Sequence, residues 1–233
     1  MKKKNNKDNK IFYSVKFIII GDQSVGKTNI IHRFCKGQFS NQYSITIGMD
    51  YLSYYLEINK KIFHLQLWDT AGSERFRSVS KGYYKNSACA IIVYDITEKK
   101  SFLSIKKWIE DCKTYSNNNL HLVLVGNKND LNDSRQVTEE EGETLALEYG
   151  MSFFESSALN GQNINEIFYD SSKVIYDNII NEVYDFDDPH NGIKICQIED
   201  EITIDKKLKT SDNQILDKSI FTERSREDTS HCC

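Results

Sequence analysis

Apolar positions in this chain alternate between short runs and helical rhythm. From Tyr13 to Ile20 the run is nearly continuous, as in a strand buried on both faces of a helix-covered parallel sheet. Ile30, Ile31 and Phe34 then recur at helical spacing until Gly37, which predicts a first helix. Gln38 to Gly48 has no helical period and reads as a loop. Two strands follow, Met49 to Ile58 and Ile62 to Trp68, joined by the turn Asn59-Lys60; in the second, Phe63, Leu65 and Leu67 alternate with His64 and Gln66. Ala88 to Tyr94 predicts another strand, and from Ser101 the residues Phe102, Ile105, Trp108, Ile109 and Cys112 predict a helix whose apolar stripe is core. Leu120 to Val125 is a further strand. Thr138 and Glu141 form a capping-box opening before Leu145 and Tyr149. Phe153 and Phe154 mark a short last strand, and Ile164, Ile167, Phe168, Ile175 and Ile179 a final amphipathic helix. The alternation predicts an α/β fold: a doubly wound, six-stranded, mostly parallel sheet with helices on both faces and ligand loops at the strand carboxyl ends.

After that helix the periodicity is lost. The domain is expected to span 11–181, with a polar arm at 1–10 and a flexible acidic tail at 182–233 that contains Pro189, the chain's one proline. Ile193, Ile195, Ile198, Ile202 and Ile204 could pair as a strand, but a linker is the expectation. The arm carries five lysines and one aspartate and reads as solvated and disordered, a weak contact with an acidic membrane being the alternative.

At 233 residues and 39% hydrophobic content the chain can bury one good-sized core. A net charge of −4 without a basic stripe argues against a nucleic-acid partner. No run is long enough to cross a membrane and no apolar segment follows the first lysines, so a cytosolic protein is expected. Cys35, Cys89, Cys112 and Cys196 lack metal-ligand spacing, as do the histidines, and are expected to be plain thiols.

The chemistry is concentrated in three stretches. Gly21-Asp22-Gln23-Ser24-Val25-Gly26-Lys27-Thr28 reads G-x-x-x-x-G-K-[S/T] between the first strand and the first helix. Its glycines allow a tight turn that aims several N–H groups at one anion; Lys27 can reach the outer phosphates and the Thr28 hydroxyl can ligate Mg²⁺. Asp69-Thr70-Ala71-Gly72 closes a strand where such a loop needs a carboxylate to orient the ion. In Asn127-Lys128-Asn129-Asp130 the final carboxylate can accept from N1–H and the 2-amino group of guanine, while Lys128 lays its stem along the ring. A site built for such bonds rejects an analogue lacking the partner groups by roughly 10⁴ to 10⁵.

With Thr46 and Ser157-Ala158, these motifs stand in the order and spacing of the Ras-type small GTPases, and residues 11–180 resemble a Rab protein. Ile47 to Tyr51, Leu65 to Gly72, Glu74-Arg75-Phe76, Tyr83-Tyr84 and Tyr94 to Thr97 carry that resemblance; the phosphate loop and Arg135 to Gly142 look most like the Golgi-associated branch. The resemblance implies GTP or GDP held by Gly21, Gln23, Ser24, Val25, Gly26, Lys27 and Thr28, by Phe39 and Tyr43 at the side, and by Asn127, Lys128, Asp130, Ser157, Ala158 and Leu159 around the base. It implies Mg²⁺ on Thr28 and Thr46, with Asp69 holding it through water. Lys27, Thr46 and Gly72 would serve the γ-phosphate, and the Ala158 N–H the base O6. Tyr51, Trp68 and Tyr83, with Ile47, would face effectors. The implied partners are an exchange factor, a Rab-activating protein, a dissociation inhibitor or escort protein, and effectors, and the switch is expected to be a monomer acting in vesicle traffic on the cytosolic face of Golgi-related membranes.

The chain departs from this pattern in three places. Ser73 stands where the family has the glutamine that orients the attacking water, so slow intrinsic hydrolysis is expected; Gln23 could compensate, or an activating protein could supply the missing group. Leu159 replaces the usual lysine after Ser-Ala. Residues 181–233 hold seven basic and thirteen acidic side chains, and the ending Cys232-Cys233 resembles a double geranylgeranyl signal. A GTP-loaded platform with negligible hydrolysis is the rival reading, which Ser73 keeps open. An ATP-using enzyme is disfavoured by Asp130.

Overall fold

The computed structural model describes residues 11–41, 46, 49–72 and 82–197. In chain order the elements are β1 (Ile11–Ile20), α1 (Lys27–Lys36), β2 (Met49–Ile58), β3 (Lys61–Thr70), β4 (Cys89–Asp95), α2 (Lys99–Leu103), α3 (Ile105–Tyr115), β5 (His121–Asn127), a 3₁₀ stretch Asn129–Ser134, α4 (Glu139–Tyr149), β6 (Ser152–Ser156), α5 (Ile164–Ile180) and β7 (Ile193–Gln197).

β1 is the spine. It pairs in parallel with β3 from Phe12↔Ile62 to Ile19↔Asp69 and, on its other side, with β4 from Phe17↔Cys89 to Ile20↔Ile92. The sheet order is β2-β3-β1-β4-β5-β6, with β2 antiparallel to β3 and the other five strands parallel. Successive β1 side chains point to opposite faces and therefore feed two cores. Phe17 and Ile19 pack with α1 and α5, where Phe34 stacks on Phe168 at 4.1 Å between ring centroids. Ile18 and Ile20 pack with Trp108, Ile109 and Leu145 on the opposite face. Both faces being covered is why the β4 run is buried throughout.

Local signals operate as expected. Asn59 and Lys60 both take positive φ in the β2–β3 turn, and the capping box is formed, with Glu141 N donating to Thr138 Oγ1 at 3.2 Å and Thr138 N to Glu141 Oε2 at 3.0 Å. The helix expected from Ser101 is instead two, α2 and α3, meeting at Ser104, whose hydroxyl donates back to Lys100 O at 3.1 Å.

The larger correction concerns the expected domain edge at 181 and the linker beyond it. The segment after α5 is part of the fold, and β7 is a seventh strand, antiparallel to β1 from Val15↔Ile193 to Ile11↔Gln197. It covers the half of β1 that β4, beginning only at Cys89, leaves open. Buried Tyr184, Asn191 and Ile193 seat the segment. Asn191 Nδ2 donates to Asp185 O (2.7 Å), Ile193 N to Asn191 Oδ1 (2.8 Å), and Asn117 Nδ2 to both Ser87 O and His190 O (2.9 Å each). Ile198, Ile202 and Ile204, like the N-terminal arm, lie outside the described residues.

Gly192 is the tight point. Its φ is +79°, its carbonyl accepts from Lys16 N at 3.0 Å, and an added Cβ would stand 2.3 Å from Ala88 N. Gly192→Ala is expected to cost about 1–3 kcal/mol and to strip hydrogen-exchange protection from those amides of the Ile11–Lys16 stretch that face β7, while the amides that face β3, and those of β4 and β5, keep theirs. Unchanged protection in β1 would show that β7 is not held by this contact.

Candidate functional site

The carboxyl ends of β1, β3 and β5 open into a single cleft of about 550 Å³ lined by residues of all three motifs. Lys27, Thr28, Thr46 and Gly72 line one end; Lys128, Asp130, Ala158 and Leu159 the other, with Phe39 between them at the side. Stretches separated by more than a hundred residues thus share one ligand-sized space.

At the first end, α1 begins at Lys27 directly after Gly26, so its N-terminal amides face the cleft with no acidic side chain in the first turn. Lys27 is buried; its Nζ donates to Gly21 O at 2.9 Å and Asp22 O at 2.8 Å. Burial holds its pKa down to about 8, against the pull of Asp69 and Asp22. Thr28 Oγ1 donates to Asp69 Oδ2 at 2.5 Å, lies 3.1 Å from Thr46 Oγ1, and Thr46 Oγ1 reaches the same carboxylate oxygen at 3.4 Å. Burial pushes the Asp69 carboxyl up while the Thr28 hydroxyl bond and the Lys27 charge oppose it. Asp69 Oδ1 is buried without a hydrogen-bond partner among the described residues. Two hydroxyls and a carboxylate with a spare oxygen are the donors a hard cation such as Mg²⁺ takes, and these residues fit that ion. Among the described residues no group of three His, Cys, Asp or Glu competes with them. Gly72 presses on the phosphate loop: a Cβ there would come within 2.5 Å of the Asp22 carbonyl and Gln23 N.

At the second end Lys128 takes a left-handed backbone, and its Nζ pairs with Asp95 Oδ2 at 2.5 Å, laying the stem across the mouth. Asp130 accepts from the hydroxyl of buried Ser157. Asn127 is a brace: its Nδ2 donates to Val25 O at 2.8 Å while its Oδ1 accepts from Ala158 N at 3.2 Å. The half-exposed Leu159 side chain accepts no bond, so the departure from lysine leaves the backbone contacts intact.

Beside the cleft Trp68 meets Tyr51 at 6.0 Å and Tyr83 at 6.1 Å between ring centroids, bringing the expected aromatic triad together. Tyr43, Ile47, Ser73, Cys232 and Cys233 lie outside the described residues. Lys16 and Trp108 are among the side chains that escaped the sequence reading. Lys16 holds its ammonium 4.3 Å over the Trp68 ring and donates to Tyr83 O and Lys85 O, both at 2.7 Å. Trp108, read only as core, donates its Nε1–H to Asp22 of the phosphate loop at 2.9 Å; the need of a buried indole N–H for an acceptor was the available signal.

The sequence-family model described as the Ras family matches residues 16–177. The chain therefore belongs to the Ras family, the small GTPases, whose members bind GTP or GDP with Mg²⁺.

Phosphates would add to the counter-charge of Asp69 and Asp22 and raise the Lys27 pKa, so nucleotide binding should take up a proton above pH 8 and weaken as pH climbs past 8. Calorimetry in two buffers of different ionisation enthalpy measures that proton; no buffer dependence would contradict it. Asp130→Asn should lower the preference for GDP over xanthosine diphosphate by about 100-fold or more, read by competition binding.

Proposed function

We propose that this protein is a Rab-type switch of vesicle traffic that binds GTP with Mg²⁺ and hydrolyses it to GDP and phosphate. The observation that carries the reading is the Tyr51–Trp68–Tyr83 cluster, in which Trp68 meets Tyr51 edge-to-face and Tyr83 at a tilt, beside a cleft that holds both the phosphate and guanine motifs. Strands β2 and β3 lead from Thr46 and to Gly72, so a γ-phosphate bonded by those two backbones would tie the aromatic face to the nucleotide state.

In this mechanism the phosphate-loop amides and Lys27 would cradle the β- and γ-phosphates, and Thr28 and Thr46 would hold Mg²⁺ directly, with Asp69 holding it through water. When bound, the ion neutralises charge on the phosphate oxygens. Lys128 and Asp130 select guanine, and Ala158 N–H turns from Asn127 to the base O6. Loss of the γ-phosphate frees Thr46 and Gly72, and the switch relaxes. Membrane attachment through lipids on Cys232 and Cys233, residence on Golgi-related membranes and control by exchange factor, activating protein and dissociation inhibitor complete the proposal.

Ser73 favours a second reading, a GTP-loaded platform, because serine is too short to orient water as glutamine does. Single-turnover hydrolysis by the native protein and Ser73→Gln, each with and without a Rab-activating protein, separates the two. The expected result is an intrinsic rate below the usual order of 10⁻⁴ s⁻¹, raised roughly tenfold by Ser73→Gln, and a native protein that still turns over with the activator. Native protein inert under every condition would leave the platform.

A further inference from the structure

The geometry points to Arg33 as the residue that positions both walls of the base pocket. It lies on α1, five residues after Thr28 and about 7.5 Å further along the helix axis. Its guanidinium spends its donors on three backbone carbonyls from two segments. Nε–H donates to Ala158 O at 2.8 Å, Nη2–H to Leu159 O, and Nη1–H to Gly37 O at 2.9 Å. Two consecutive carbonyls of the base loop are therefore held by one planar fork, a geometry that an ammonium cannot reproduce.

The first wall is the loop carrying the Ala158 amide, which donates to Asn127 Oδ1 on one side while the Ala158 carbonyl is pulled by Arg33 on the other. The loop crosses close over the arginine stem: a Cβ on Gly161 would sit 3.9 Å from Arg33 Cδ. The second wall starts at Gly37, which is locked twice to the same residue, its N–H donating to Arg33 O at 2.9 Å and its carbonyl accepting from Nη1. Two residues later comes Phe39, the cleft's aromatic side. α1 thereby sets the phosphate site with its first turn and the base site with its second. Leu159 can replace lysine because the anchor at this position is its carbonyl.

This inference rests on the guanine reading and is tested so that the two can fail separately. GDP dissociation is measured for the native protein, Arg33→Ala and Arg33→Lys, together with the preference of each for GDP over 6-thio-GDP, whose sulfur accepts poorly from an N–H, and over ADP. Arg33→Ala should release GDP at least about tenfold faster, since three loop carbonyls, one of them on buried Ala158, lose a charged donor, and lose most of its preference over 6-thio-GDP. Arg33→Lys should fall between, reaching one carbonyl, and carries the test if the alanine variant does not fold. A merely structural role would lower the melting temperature and leave the 6-thio preference at the native value. That outcome, or native release rates in either folded variant, overturns the inference. A native protein indifferent between GDP and ADP would overturn the guanine reading itself.

Discussion

One buried amide joins the halves of this site. Asn127 ends β5, is 1% exposed, and donates to the phosphate loop at Val25 while accepting from the base loop at Ala158. A polar group so deeply buried has to be paired, and its partners here are the Ser156 hydroxyl and the main chains of the two loops that must act together. The same bond explains Gly26: its φ is +99°, and a Cβ there would meet Asn127 Nδ2 at 2.3 Å. The sheet supports this junction by packing helices against both faces of parallel strands, leaving their carboxyl ends as the place where loops converge.

The donors around the cleft are organised by one another. Lys27 is satisfied by two loop carbonyls, Thr28 by Asp69, and the Ala158 amide by Asn127, so a ligand exchanges existing bonds for its own. Such a site loses little conformational freedom on binding. Asp69 Oδ1 and the Lys27 charge are what this internal network leaves under-compensated, and both are answered by a metal–phosphate pair.

The cleft was legible because recognition of a polyphosphate and a purine constrains residue types at fixed spacing. Gly26-Lys27-Thr28, Asp69 and Asn127 to Asp130 could be placed from the chain and from the apolar runs that deliver them. Lys16 and Arg33 could not, since both act on backbone carbonyls, and a carbonyl leaves no trace in sequence. β7 was missed for a different reason. Asn191-Gly192 before two alternating isoleucines is a weak strand signal in a polar stretch, and what makes it a strand is an open edge on β1 whose existence depends on where β4 begins. Trp108 lay between these cases: its helical spacing was visible, its acceptor across the fold was not.

β7 also changes how the molecule could be cut and joined. Ile11 and Gln197 are register partners in an antiparallel pair, where Cα atoms stand about 4.5–5.5 Å apart. A two-residue turn between them would make β7 and β1 a hairpin, and new ends could be opened at Asn59-Lys60, a turn between neighbouring strands away from the cleft. The circular permutant would thread phosphate loop, ion ligands and base loop in a new chain order while leaving each on its strand. The linear order of the motifs is thus separable from the site, which is a property of the sheet.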